Sequence, residues 1–402
     1  MVTLTQSHAP NLPVAPQGNA PEVSIVIPCL NEAETIEMVV KEARDALSSS
    51  GIAGEIIVAD NGSTDGSREL ASRLGARVVP VEARGYGAAL MGGIAASRGR
   101  YVIMGDADAS YDFGAIPAFV EKLRTGDALV MGCRLPSGGG RVMLGAMPFL
   151  HRWWGNPMFS WMVQRWFRAP IHDVHCGLRG FTRRLYDELE LRCTGMEFAS
   201  EMVIKAALSS VAISEVPVTL RPDQRSRRPH LRTFRDGWRH LRFYLMYSPR
   251  WLFLLPGLAL VLMGAIGYAL AIPGSRIAGA ELDVNALLYS SLLVILGYQS
   301  VLFAILTKAF AVAQGLLPST RRVERFFATF NLERGLIAGV MITGVGVALL
   351  AGVLAQWASV DFGPLDYRVT LRLSIPGVMF TALGVQTLFF SFFASILGLR
   401  RR

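Results

Sequence analysis

After residue 250 the chain turns apolar for long stretches. Four runs, 251–271, 286–312, 336–357 and 373–399, each reach the roughly 20 residues that an α-helix needs to cross a hydrocarbon core. Inside a bilayer only a helix or a closed barrel satisfies its own backbone, so these runs define a four-helix transmembrane region over 251–402. The chain is 51% hydrophobic, with a mean hydropathy of +0.37. That excess sits in the four runs, and the residues before them have the mixed pattern of a globular domain. Four spans return both flanking ends to one side. The segment between the second and third runs holds Lys308, Arg321, Arg322, Arg325 and Arg334, and the chain ends in Arg400, Arg401 and Arg402. The other two loops balance Arg276 against Glu281 and Asp283, and Arg368 and Arg372 against Asp361 and Asp366. The positive-inside rule therefore places the N-terminal domain, the middle loop and the C-terminus in the cytoplasm. Residues 1–20 lack an apolar core and are expected to be a disordered polar leader rather than a secretory signal.

Between residues 22 and 131, short apolar runs alternate with helical spacing. Strands are expected at 22–28, 54–59, 76–80, 101–104 and 128–131, with helices at 31–47, 67–74, 85–97 and 115–123. Alternation of this kind implies a mostly parallel sheet covered by helices, and ligands of such sheets bind at the carboxyl ends of the strands. The polar residues gather at those ends: 28–32, 60–65, 84–87, 106–110 and Arg134. The sharpest is R-Y-V-I-M-G-D-A-D at 100–108, where a buried run delivers Asp106 and Asp108 one residue apart. Paired carboxylates there suit a divalent cation and a diphosphate. Each feature has a plainer reading. D-x-D also occurs in surface loops, Asp60 and Asp65 suit a turn and a helix cap, Gly85 and Gly87 suit close helix packing, and Arg134 suits a surface charge.

The net charge is +9, carried almost wholly by arginine. A GC-rich genome accounts for the arginine bias, yet many arginines lie between 134 and 250, just before the membrane, where they suit anionic headgroups or a phosphate substrate. No nucleic-acid module accompanies the charge, so nucleic acid is not an expected partner. Cys29, Cys133, Cys176 and Cys193 lack metal-binding spacing and are expected to be free thiols. Residues 142–168 are rich in Trp, Phe, Met and Arg, too polar to span and too aromatic for an ordinary surface. They suit an in-plane interfacial helix pair, or alternatively an aromatic core, and 230–247 suits a further amphipathic helix.

The motifs V-S-I-V-I-P-C-L-N-E-A-E-T-I, I-I-V-A-D-N-G-S-T-D-G-S, A-R-G-Y-G-A-A-L and V-I-M-G-D-A-D-A-S-Y-D resemble those of the family-2 inverting glycosyltransferases with a GT-A fold. H-R-W-W-G-N-P-M-F, H-D-V-H-C-G-L-R-G-F and G-M-E-F-A-S-E-M-V-I-K-A narrow the resemblance to polyprenyl-phosphate sugar synthases of the dolichyl-phosphate mannose and glucose synthase type, over about 22–248. The resemblance implies a Rossmann-like α/β GT-A domain, with a nucleotide-sugar-binding core at 21–141 and an acceptor-side part at 142–250. It implies transfer of a sugar from a nucleotide-sugar to polyprenyl phosphate, with UDP-glucose favoured and other UDP-sugars or GDP-mannose as further candidates. The donor is expected against Pro28, Leu30, Glu32, Asp60, Gly85, Asp106 and Ala107. Mg²⁺ or Mn²⁺ is expected on Asp106, Asp108 and Ser110, and the lipid phosphate on Arg134, Arg152, Arg225 and Arg228. Asp173 falls where related enzymes keep an acid near the acceptor, as a base, an orienting group or a structural one. His172 and His175 beside it suggest a second metal cluster that D-x-D makes unnecessary. Glu201 suits either the site or a partner for a buried arginine such as Arg179.

Two other functions are weighed against this one. A processive polysaccharide synthase would carry Q-x-x-R-W, and the chain has only Gln164-Arg165-Trp166. A flippase or transporter with a degenerate transferase domain would need ionisable residues along its spans, which are nearly absent. The spans anchor the enzyme, position the lipid or mediate a homo-oligomer. The expected location is a bacterial inner (plasma) membrane with the catalytic domain cytoplasmic.

Overall fold

The computed structural model describes residues 20–226, 233–277, 280–314, 317 and 331–399. The expected leader, Arg228, the basic loop arginines 321, 322 and 325 and the C-terminal arginines lie outside these residues. The chain forms two compact units, Met1–His240 and Leu241–Arg402.

In the first unit, β1 (Val23–Cys29), α1 (Ile36–Ser49), β2 (Gly54–Asp60), α2 (Ser67–Arg73), β3 (Arg77–Pro80), α3 (Tyr86–Ala96), β4 (Tyr101–Met104), α4 (Ile116–Arg124) and β5 (Leu129–Cys133) alternate as expected. They are followed by β6 (Arg141–Val142), α5 (Asn156–Phe167), β7 (Arg179–Thr182), α6 (Arg183–Leu189), α7 (Phe198–Leu208), β8 (Ile213–Pro217) and β9 (Thr219–Leu220). The seven-stranded sheet has the order β3-β2-β1-β4-β7-β5-β8. Helices cover both faces, so β1 and β4 read as continuous apolar runs; Val23, Ile25, Val26, Ile27, Val102, Ile103 and Met104 are fully buried. Cys29 pairs with Asp60 and Met104 with Val26 in parallel register. The loops after β1, β2 and β4 therefore leave from one edge.

β7 runs antiparallel between β4 and β5, so the segment after residue 142 supplies a central strand of the donor-side sheet. The helix expected from residue 31 begins instead at Ile36. Asn31 takes a left-handed φ of 58°, and Thr35 N and Ile36 N both donate to Glu32 O, closing a turn over 32–35. The interfacial pair expected within 142–168 is one helix, α5, preceded by a wide π-helical turn at His151–Gly155. Of its aromatics, Phe159 and Phe167 are buried, whereas Trp153, Trp154 and Trp161 are 57–71% exposed. The amphipathic α8 (Thr233–Tyr247) forms as expected. The four cysteines are free thiols.

The second unit holds α9 (Leu255–Ala271), α10 (Val284–Ala313), α11 (Leu332–Ser359) and α12 (Tyr367–Leu399). With α9 extended back to Arg250, all four are long and apolar enough to cross a membrane. Lipid gives apolar side chains no reason to leave it, so these helices meet through small residues and hydroxyls. A Cβ on Gly257 would lie 2.8 Å from Gly297 O, and Tyr298 and Thr387 share a hydrogen bond of 2.6 Å between α10 and α12. At the start of α10, Asp283 accepts from Arg372 at 2.8 Å and pairs with Arg368 at 2.9 Å. A Cβ on Gly384 would sit 2.8 Å from Gly339 O and closer still to Thr343. Gly384→Leu is therefore expected to destabilise the α11–α12 pair by about 1–3 kcal/mol, measured as a lower unfolding temperature in detergent. An unchanged temperature would mean that these backbones do not touch.

Candidate active site

Loops after β1 and β2 are stitched together by their own side chains. Asn31 N donates to Ser63 Oγ at 2.9 Å, and Asn31 Oδ1 accepts from Thr64 N at 2.8 Å. Asp65 is not the helix cap expected: the N-cap of α2 is Gly66, and Asp65, one residue before it, accepts from Ser67 N at 3.1 Å and from Ala33 N at 2.9 Å. Asn31, Glu32, Glu34, Thr64, Asp65 and Arg225 line a cavity of about 350 Å³. Pro28 is the penultimate residue of β1 at the same edge, opposite Ala59, and Leu30 is half-buried. Asp60 is fully buried. Its carboxylate accepts from Gly62 N (3.0 Å), Ser63 N (3.1 Å) and Arg68 Nε (2.6 Å). Burial alone would raise its pKa, but the bonds from Ser63, Arg68 and Gly62 outweigh that and hold it below the ordinary carboxylate range.

Gly85 is held by geometry of a different kind. Its φ is +134°, and a Cβ there would strike the Thr194 carbonyl oxygen. Its N–H already donates to Asn61 Oδ1 at 2.9 Å. Close packing of α3 against 193–195 is thus the reason for glycine at this position.

After β4 the chain delivers the two carboxylates. Tyr86, from the first turn of α3, donates its hydroxyl to Asp106 Oδ1 at 2.8 Å. Gly177 closes over the same carboxylate, and a Cβ there would overlap Asp106 Oδ2. Ala107 is buried, and Ala109 takes φ 57°. That turn lets Asp108 Oδ1 accept from Ser110 N at 3.0 Å. Asp108 Oδ2 faces Arg225 Nη2 at 3.3 Å. Burial, and then the Asp108 charge, push the Asp106 pKa up to about 6, against the Tyr86 hydrogen bond and the charges of Arg134 and Arg179.

A pH dependence follows. The unfolded carboxyl releases its proton near 3.8 and the folded one near 6. Between these values the folded state holds more protons, so stability of the metal-free protein falls as pH rises through the window. Affinity for a divalent cation runs the other way and is expected to drop about tenfold per pH unit below about pH 6. Mn²⁺ titrations across about pH 5–7 check it, and a flat affinity would remove Asp106 from the binding group.

The acceptor-side residues centre on a buried ion pair. Arg134 N and Nε donate to Asp173 Oδ2 at 3.0 and 2.6 Å, and Nη2 donates to Oδ1 at 2.8 Å. Arg134 is thus no surface charge. Both Asp173 oxygens are engaged by Arg134. Tyr111 OH accepts from Gly177 N at 2.8 Å and lies 3.5 Å from Arg134 Nη1, linking the pair to the D-x-D loop. Arg152 lies in the π-helical turn over the Trp153 ring, 5.5 Å from its centroid. Its neighbour His151 has a lowered pKa, from burial and then from the Arg134 charge.

One position, Glu215, has no local signal in the sequence. Glu215 on β8 accepts from His172 N (2.6 Å) and Asp173 N (3.1 Å) and pairs with His172 Nδ1 (2.6 Å), fixing the turn that presents Asp173. His172 is therefore part of a brace. His175 bonds Asn156 Oδ1 at 3.1 Å, and the described residues hold no cluster of three or more metal-ligating side chains. Glu201 pairs with Lys205 at 2.9 Å, while buried Arg179 donates to the carbonyls of Cys176, Val174 and Ala199.

A sugar-transferring enzyme tied to a membrane accounts for both units of the chain. Residues 24–190 match the model for glycosyl transferase family 2, and residues 305–398 match that for the glycosyltransferase family 2 C-terminal transmembrane region. The low-salt glycan biosynthesis hexosyltransferase Agl6 of Haloferax volcanii is 35% identical over 382 residues, covering 94% of this chain and 90% of that protein. The chain belongs to glycosyltransferase family 2, as its motifs imply. A dolichyl-phosphate hexose transferase of Haloferax volcanii is 29% identical over 201 residues, 50% of this chain and 85% of its own length. Among solved structures, glucosyl-3-phosphoglycerate synthase from Mycobacterium tuberculosis, in complex with Mn²⁺, UDP and glucosyl-3-phosphoglycerate, is similar at 24% identity. That match covers 56% of this chain and 78% of the other, with a TM-score of 0.42.

Proposed function

We propose that the protein transfers a hexose from a nucleotide-sugar, UDP-glucose first among the candidates, to polyprenyl phosphate, with inversion at the anomeric carbon. The observation that carries this reading is a braced guanidinium, Arg134, whose charge is felt at Asp106 of the D-x-D pair. An anionic acceptor needs such a cation beside an anionic donor. The names of the Haloferax relatives, a hexosyltransferase and a dolichyl-phosphate hexose transferase, support the class of product.

Asp106 and Asp108 suit a hard divalent cation, Mg²⁺ or Mn²⁺, with Ser110 alongside. Both are oxygen donors, and Asp108 already attracts a guanidinium. When bound, the metal supplies charge neutralisation for the departing diphosphate. The protein's own residues do the rest. Pro28, Leu30, Glu32 and Asp60 form the wall for the nucleoside. Arg134, held side-on by Asp173 and with Nη1 donating to Tyr111 OH at 3.5 Å, is the guanidinium for the acceptor phosphate, with Arg152 on the adjoining turn. A phosphate monoester is ionised at neutral pH (second pKa about 6), so no base is required of Asp173. Exposed Trp153, Trp154, Trp161 and Trp238 suit the headgroup layer, where a lipid phosphate resides.

The plasma membrane, with the catalytic unit cytoplasmic, is the proposed location. Its bacterial assignment draws no support from the full-length relative, which is archaeal. The test is purified protein with radiolabelled UDP- and GDP-sugars, Mg²⁺ and polyprenyl phosphate. A chloroform-soluble product bearing one sugar is expected, and none across the donor panel would end this reading.

A further inference from the structure

Residues 221–226 form a strap over the donor cavity, and its Arg225 sits where a cation is wanted. Arg225 is only 10% exposed. Its Nη1 lies 3.2 Å from Glu32 Oε1 and its Nη2 lies 3.3 Å from Asp108 Oδ2. The partner that holds it tightest, Asp223 at 2.5 Å, belongs to the strap itself and would travel with it. At its base the strap is tied down by Arg221, through Glu42 at 2.6 Å and Asp112 at 3.0 Å. At its far end Ser226 N donates to Glu34 Oε2 at 2.7 Å. The contacts to the two site carboxylates are thus longer than any of these anchors. Asp108, Glu32 and Asp223 place three carboxyl groups around one guanidinium.

We propose that Arg225 is the exchangeable counter-cation of the donor site. It neutralises Asp108 and Glu32 in the donor-free protein and yields Asp108 to the donor's divalent cation. This rests on Asp106 and Asp108 holding that cation. Arg225 and a divalent ion would compete for Asp108 Oδ2, and the nucleotide diphosphate's own oxygens would tip that competition toward the ion. Two consequences follow. Bare metal binds weakly without nucleotide, which keeps the acidic site from being filled unproductively. Arg225 reaches a phosphate only after it is displaced, so the lipid-phosphate role expected for it from the sequence begins once the donor is in place.

The experiment is a Mn²⁺ titration of the purified full chain followed by electron paramagnetic resonance, without nucleotide, on wild type, Arg225→Gln, Arg225→Lys and Asp108→Asn. Removing the competing charge is expected to tighten Mn²⁺ binding about tenfold in Arg225→Gln. Arg225→Lys keeps the charge but loses the fork that spans both carboxylates, and is expected to tighten binding about threefold. Asp108→Asn is expected to abolish binding. Melting temperatures check that each variant is folded, and should the glutamine variant fail to fold, the lysine variant decides. Arg225 variants that bind Mn²⁺ no more tightly than wild type, with Asp108→Asn still abolishing binding, overturn the counter-cation and leave the metal assignment standing. No binding even by wild type with UDP added overturns both.

Discussion

Replacing Asp108 with asparagine is expected to lower turnover about a thousandfold while leaving the melting temperature near that of wild type. The two outcomes separate because the two oxygens of Asp108 do different work. Oδ1 accepts from Ser110 N and shapes the turn, and the asparagine carbonyl can keep that bond. Oδ2 faces the cationic side of the site, and there an amide presents N–H groups where a negative oxygen is needed. The loss falls on the step in which charge accumulates on the leaving diphosphate. Steady-state rates with the donor at saturation, beside circular dichroism melts, are the check. Turnover within a few-fold of wild type would remove Asp108 from the chemistry.

The second large effect concerns Arg134 and Asp173. Asp173 is fully buried and Arg134 is 8% exposed. Removing either partner leaves an uncompensated charge in the interior, so Arg134→Met and Asp173→Asn are each expected to cost about 3–5 kcal/mol of stability. The double variant Arg134→Met/Asp173→Leu replaces both with apolar groups and is expected to regain most of that loss. Activity should not follow. Without a guanidinium facing the acceptor, turnover stays about a hundredfold or more below wild type, however stable the protein. A double variant that recovers rate along with stability would reduce the pair to a structural brace.

Much of the donor side was legible because its signals are local. β1, β4 and β5 are apolar runs buried on both faces, and their pattern is hard to mistake. The acids Glu32 and Glu34 read as the start of a helix, whereas the left-handed Asn31 delays that helix and leaves both acids lining the cavity. Tyr86 hid between two glycines, and only the fold shows that its hydroxyl reaches Asp106 twenty residues on. Arg179-Gly180-Phe181-Thr182 lacks any strand pattern. It forms one because two flanking strands offer it hydrogen bonds on both sides. Glu215 lies 42 residues from the Asp173 backbone that it fixes, a distance no spacing rule spans.

The placement of β7 bears on how this enzyme can be re-engineered. Swapping the segment before residue 142 for that of a relative, to change the sugar handled, would leave a foreign pair of strands around a native β7. Gly177, two residues before β7, also seals the Asp106 carboxylate. A functional chimera would therefore have to carry 174–182 with the donor half, although those residues lie beyond the aromatic segment in the chain. The same arrangement sets the timetable of assembly. β4 and β5 cannot close the middle of the sheet until β7 has been made, so the central pairing is a long-range event that comes late in folding.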